Sequence, residues 1–359
     1  MKNIILTILI TTSAFAQNKL EAVGVFEGRQ PIGVAVDTES NRVFVSFPHN
    51  EPFKYGLAEL GKIEIPYPDE KWNHYTGADD DAHFYNVQDL YADDKGYLWV
   101  LDSKPSGGAS VFGDDGKQEE GKFKLVKIKL SDSKVEKVYR FGGLNKVKSG
   151  LNDVRVDTQR NLAYLSDPAQ KAIVVLDLAT DTVRLALQNH ASTTATPGYV
   201  LNIDGVDMKD EKGNPFKSDV NGIALTKDNK YFYYKPINHN NLYRIETQYL
   251  ADATLSAEAL GSKVETVADV GVTHGLECDA KGNIYFGDSP NHSIKYVSPN
   301  GKVHTLVKDS RIIWPDSFGI GSNGYVYFSC AQLNRLPKWN NGKDRVERPF
   351  RVYRVKMVQ

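Results

Sequence analysis

The sequence predicts an all-β fold, and within that class a six-bladed β-propeller with four-stranded blades. Three observations predict it. One strand–turn–strand unit recurs six times along 359 residues, as radially repeated sheets require. The chain is rich in Tyr and Phe, at 19 and 15 residues, and these side chains suit pleated surfaces. No stretch keeps a 3.6-residue apolar period over three turns, so no long helix is expected.

The clearest copy of the unit is Val87 to Ser103, VQDLYADDKGYLWVLDS. Leu90, Leu98, Trp99, Val100 and Leu101 supply its apolar runs, and Asp93 to Gly96 its polar turn. That spacing is a β-hairpin's. The other copies run Ile32 to Phe47, Leu151 to Asp167, Val220 to Tyr234, Thr273 to Asp288, and Asp316 to Ser329. Their turns are entered at Asp37, Asp157, Thr226, Asp279 and Gly321. Further strand-like segments follow the hairpins. They are Phe123 to Leu130 with Val135 to Phe141, Ala172 to Leu178 with Thr182 to Leu187, and Ile294 to Val297 with Lys302 to Val307. Tyr249 to Leu260 is the best helical segment.

The sixth unit has one clear strand beyond its hairpin, Phe350 to Met357. The lone strand Leu20 to Phe26 is expected to complete it, which closes the ring and removes two exposed sheet edges.

Residues 1–16 read as a secretory signal. Lys2 is the basic region, Ile4 to Ile10 the apolar region, and Ala14-Phe15-Ala16 the cleavage site. The propeller then occupies residues 17–359, in a secreted or periplasmic protein. The apolar run is too short to span a bilayer. The net charge is −1. Such balance gives no electrostatic attraction to nucleic acid or an anionic membrane. The expected partner is a small molecule and the expected state a monomer. Cys278 and Cys330 are the two cysteines. An exported chain allows one disulfide between them, or two buried free thiols.

In a propeller the first strand of each blade lines the axis. Those strands begin at Ile32, Gln88, Asn152, Asn221, His274 and Asp316. Five of these are polar or ionisable, and convergent polar groups in a concavity are what a small-molecule site needs. The ligand-binding set expected here is Gln88, Asn152, Asp153, Asn221 and Trp314, with Asp102, Asp167 and Asp288 at the rim. His274 and Asp316 are the expected acid–base pair. Trp314 would give a flat apolar wall. Gly319 to Gly324 matches GxGxxG but lies between two strands, so it reads as a turn. Ser103 to Gly121 and His190 to Pro197 read as surface loops.

The phrases LYADDKGYLWVLDS, NDVRVDTQRNLAYLSD, IVVLDLATDTVRLAL, NGIALTKDNKYFYYKPINHNNLYRI and GNIYFGDSPNHSIKYV, in that order, resemble the major royal jelly protein / yellow family. The resemblance implies a secreted six-bladed propeller that binds a small aromatic or amine-bearing molecule. It also implies dopachrome-type isomerisation as an activity, with no cofactor. The NDV and NGIAL phrases are similar to those of gluconolactonase-like propellers. That likeness implies a lactonase or esterase dependent on Ca2+ or another divalent ion, with Gln88, Asn152, Asn221 and Asp316 as ligands. Ile32 stands where that family has an acidic ligand. A non-enzymatic interaction domain is the third reading of the same ring.

Overall fold

A computed structural model describes residues 19–50, 53–107 and 119–358. Six four-stranded antiparallel sheets form the expected propeller. Blade one comprises Val34–Val36, Val43–Ser46, Leu57–Leu60 and Ile65–Pro66. Blade two comprises Val87–Ala92, Tyr97–Lys104, Lys122–Lys129 and Lys134–Tyr139. Blade three comprises Val154–Asp157, Leu162–Asp167, Ala172–Asp177 and Thr182–Ala186. Blade four comprises Val220–Leu225, Tyr231–Pro236, Asn241–Glu246 and Glu265–Asp269. Blade five comprises Leu276–Cys278, Ile284–Asp288, Ser293–Val297 and Val303–Lys308. Blade six comprises Pro315–Ile320, Tyr325–Cys330 and Phe350–Lys356, and Glu21–Phe26 pairs outside the last of these. The N-terminal strand therefore closes the ring as the sequence predicts, and Glu21 and Arg354 form an ion pair of 2.9 Å across that seam. Inner strands of successive blades touch around the whole ring.

The recurring turn has one chemistry. Asp37, Asp93, Asp157 and Asp279 each accept backbone N–H groups two or more residues ahead, as Asx turns do. Each turn also needs a left-handed residue. Asn41, Asn161 and Asn229 supply it at φ of 61, 54 and 56°, and Gly96, Gly282 and Gly324 at 80°. The GxGxxG run ends in the last of these turns, between two strands.

Six apolar clusters lie between successive blades. Phe44, Phe123, Phe232 and Phe286 are wholly buried in or beside them, each contributing about 2–3 kcal/mol by burial. Cys278 and Cys330 lie in different clusters as free buried thiols. The expected helix over Tyr249 to Leu260 is instead two single turns, Thr247–Ala251 and Ala257–Gly261. Asp252 breaks it by accepting from the backbone and hydroxyl of Thr254. The expected signal segment and residues 108–118 of the Ser103–Gly121 loop lie outside the described residues.

Candidate functional site

Glycines bring the inner strands together at the axis. A Cβ on Gly222 would sit 1.7 Å from the His274 carbonyl oxygen, and one on Gly275 would sit 2.0 Å from that of Asp316. Aligned on their turns, Gly33, Gly222 and Gly275 match Asp89, Asp153 and Ser317 in sequence. Two residues later the aligned set is Ala35, Tyr91, Arg155, Ala224, Glu277 and Gly319. Small residues on some blades thus leave room for long charged ones on others.

Those charged residues form a buried chain across the axis. Asp89 Oδ2 accepts from Val154 N at 2.9 Å and from Arg155 Nη1 at 3.2 Å. Arg155 Nη2 donates to the Leu276 carbonyl at 2.8 Å and lies 3.5 Å from Glu277 Oε2. Glu277 pairs in turn with Lys227 at 3.1 Å. Charge alternates in sign from Asp89 to Lys227, so each of the buried groups Asp89, Arg155 and Glu277 faces an opposite one, and the chain ends at the exposed Lys227. The first-position ring read from the sequence misses all four residues. The signal for Asp89, Arg155 and Glu277 was the period of two inside each inner strand, Asp89/Tyr91, Asp153/Arg155 and Gly275/Glu277, whereas Lys227 lies in the turn after its strand.

The predicted ring is partly assembled. Gln88 Nε2 donates to Asn152 Oδ1 at 3.3 Å, and Asn152 Nδ2 donates to Asp153 Oδ1 at 2.7 Å. Asp316 Oδ1 accepts from Trp314 Nε1 at 3.0 Å. Asp153 and Asp316 are half-buried, and among the described residues neither is in an ion pair. Burial pushes Asp316 up to about 7, with the Asp89 charge adding and the Trp314 hydrogen bond opposing. Burial also holds Asp153 well above the usual carboxylate range, aided by the charges of Asp89 and Asp316 and opposed by Arg155. Asn221 Nδ2 donates to Ser218 Oγ at 3.3 Å. Ile32 joins an apolar cluster with Leu201, Ile203, Phe216, Trp314 and Trp339. The segment after His190 to Pro197 therefore packs over this end of the axis.

His274 and Asp316 do not form the expected acid–base pair. His274 stacks on Trp314, with centroids 3.8 Å apart and planes at 18°. The indole bridges the two, touching the imidazole with its face and the carboxylate with its N–H. His274 is 1% exposed, and burial, with the Lys235 charge, lowers it to about 3. It is a neutral imidazole whose Nε2 meets Ser289 Oγ at 2.8 Å. Trp314 holds this place at φ 51°, a left-handed conformation that is an outlier for a bulky residue.

The three rim aspartates serve their own blades. Asp102 accepts from Tyr85 N at 2.7 Å and pairs with Lys124 at 3.1 Å, both side chains 1% exposed. Asp167 accepts from Gly150 N and Gln170 N. Asp288 accepts from Asn291 Nδ2 and pairs with Lys295. Among the described residues no group of three His, Cys, Asp or Glu is placed to hold a metal ion, and no helix is long and apolar enough to cross a membrane.

With this geometry in place, the family profile described as "Major royal jelly protein" matches residues 85–358. The chain belongs to the major royal jelly protein family. Among curated proteins none matches this family member in sequence. Solved structures share its fold. A gluconolactonase from Xanthomonas campestris aligns with TM-score 0.54 at 9% identity, covering 95% of this chain and 90% of that one. A calcium-binding regucalcin from Agrobacterium tumefaciens aligns with TM-score 0.54 at 13% identity, covering 96% of each chain. A luciferin-regenerating enzyme aligns with TM-score 0.52 at 12% identity, covering 95% and 97%. At such identities the likeness is one of fold, and function is argued from the site.

Proposed function

We propose that this royal jelly family protein is exported and binds a small aromatic amine at the ring end of its axis. One observation carries the reading. Asp153 and Asp316 are both half-buried, feel one another's charge, and are in no ion pair among the described residues, with Arg155 offsetting Asp153 only in part. Two such carboxyls call for a positive charge between them, and an ammonium group supplies it. Trp314, 1% exposed with its face on His274, is not the free aromatic wall expected from the sequence; it acts on the site through the N–H it donates to Asp316.

The same pair suits proton transfer. With its midpoint at about 7, Asp316 holds or accepts a proton near neutral pH. In a dopachrome-type isomerisation, Asp316 as carboxylate takes a proton from carbon, and the resulting acid returns one elsewhere on the same molecule. Neutral His274 fixes the indole and carries no proton in this scheme. Calorimetry with dopamine, tryptamine and dopachrome tests the reading. Wild type should bind the amines and release about half a proton at pH 7 as Asp316 ionises, and Asp316→Asn should bind weakly with no such release. Equal affinity in both proteins would remove the reading. Binding without turnover of dopachrome would leave a carrier.

A second reading rests on donor chemistry. Gln88, Asn152, Asn221 and Asp316 offer hard oxygens of the kind that suit calcium. Bound there, calcium would polarise a lactone carbonyl. Metal analysis of protein purified without chelator separates the two readings.

A further inference from the structure

The seam where the ring closes carries a second site. Gly28–Gln30 follows the closing strand, and beside it a cleft of about 350 Å³ opens between blades one and six. That volume accommodates a one- or two-ring molecule. Phe47, Phe53, Tyr55 and Phe350 form apolar walls, and Arg29 and Arg348 bring positive charge.

Arg29 is the informative residue. Its guanidinium lies over Phe47 and Tyr55, 4.5 and 5.3 Å from their centroids. Its Nη2 donates to both oxygens of Glu64, at 2.5 and 2.7 Å. Its Nη1 is buried and has no hydrogen-bond partner among the described residues. A buried guanidinium nitrogen without an acceptor is rare, and a carboxylate is the acceptor its geometry prefers. Arg348 pairs with Asp344 at 2.9 Å, but its side chain is 49% exposed. That exposed pair is weak and exchangeable. Lys54 stands 4.6 Å over Tyr55. Among the described residues these three cations pair with two carboxylates, Glu64 and Asp344, an excess of positive charge that disfavours an amine.

We infer that this cleft binds a flat aromatic carboxylate, its ring against Phe47, Phe53 and Tyr55 and its carboxylate on Arg29 and Arg348. The site is independent of the axis and selects the opposite charge.

Indole-3-acetate is the probe, with indole-3-acetamide as its neutral counterpart and tryptamine as its cationic one. Ligand-detected NMR and calorimetry on the full chain give the affinities. Indole-3-acetate should bind at least tenfold more tightly than the amide, since a charge-assisted hydrogen bond discriminates by that much. Arg348→Ala should weaken it about tenfold with an unchanged melting temperature, and Arg29→Lys should weaken it further. Asp316→Asn should leave it unaltered, which separates this cleft from the axial site. The inference fails if acetate and amide bind alike, if neither arginine variant alters affinity, if Asp316→Asn abolishes binding, or if millimolar indole-3-acetate does not bind.

Discussion

Arg155 reaches from blade three to Asp89 of blade two, Nη1 to Oδ2 at 3.2 Å, with both side chains 3% exposed. The same guanidinium faces Glu277 of blade five. One cation therefore links two buried carboxylates from different sheets, and Lys227 supplies the second positive charge at Glu277. Removing one partner of a buried pair strands the other without compensation. Arg155→Met should lower unfolding free energy by about 3–5 kcal/mol, read from urea denaturation with an unchanged m-value. The triple variant with Asp89→Asn and Glu277→Gln should recover part of that loss. A single-variant loss below about 1 kcal/mol would show that the chain of charges does not hold the blades.

Gly222 and Gly96 separate two reasons for glycine. Gly96 sits at φ 80° with open space around its missing Cβ, so Gly96→Ala should cost about 1 kcal/mol through backbone strain alone. Gly222 has an ordinary φ, but its Cβ would overlap the His274 carbonyl. That obstacle is backbone and cannot swing away. Gly222→Ala should therefore cost roughly 4 kcal/mol or more, or abolish folding. Thermal melts of the two variants should rank in that order.

Cys278 and Cys330 are buried in separate blade interfaces, and burial pushes the Cys330 thiol up to about 12 and Cys278 upward as well. The thiolate is the reactive form. A thiol-specific dye should find neither cysteine in folded protein and both in guanidinium, and reductant should not alter the melting temperature. Fast labelling of the native protein would place one of them at the surface.

How much of this was legible in the sequence follows from the period of a strand. The six hairpins, the Asx turns at Asp37, Asp93, Asp157 and Asp279, and the closing strand all depend on local patterns and strand pairing, and all were readable. The axis was readable only in part. Counting from the first strand residue gave Gln88, Asn152 and Asp316. It passed over Arg155 and Glu277 because they lie further along their inner strands than the first position, and over Asp89 because a register shift falls between Val87 and Asp89. An irregular step there makes simple alternation unreliable. The rim aspartates were overread for another reason. A strand-ending Asp that caps the next loop looks the same in sequence as one that faces a ligand. The packing of residues 195–217 over Trp314 is a long-range contact with no local signal.

Asp316 makes stability depend on pH in a defined direction. Its midpoint is near 7 in the fold, against about 4 in an unfolded chain. Between those values the native state holds the extra proton, so its contribution is complete below about pH 4 and is lost as pH rises to about 7. Asp316→Asn removes this dependence. The variant should match wild type at pH 4.5 and melt a few degrees higher at pH 8, at about 2–4 °C per kcal/mol. Asp153 is raised in the same sense, so some slope should persist. A variant less stable than wild type at pH 8 would contradict the assignment.

Trp314 is where fold and proposed chemistry meet, and its two contacts can be separated. Its face lies on His274, and its N–H donates to Asp316. Trp314→Phe keeps an aromatic face and deletes the donor. That hydrogen bond favours the ionised carboxylate, so its loss should move the Asp316 midpoint upward from about 7, by roughly one pH unit. Carboxyl-stretch infrared titration, with Asp316→Asn to assign the band, reads this directly. The functional consequence has a fixed sign. At pH 7 the variant's carboxyl would be mostly protonated, so an incoming ammonium must displace more of a proton. Tryptamine affinity should fall at pH 7, proton release should rise from about half towards one, and affinity should recover by pH 9. An unmoved midpoint would mean that the indole only packs. A weaker tryptamine affinity that fails to recover at high pH would mean that the ring edge, and not the charge beneath it, is what the ligand meets.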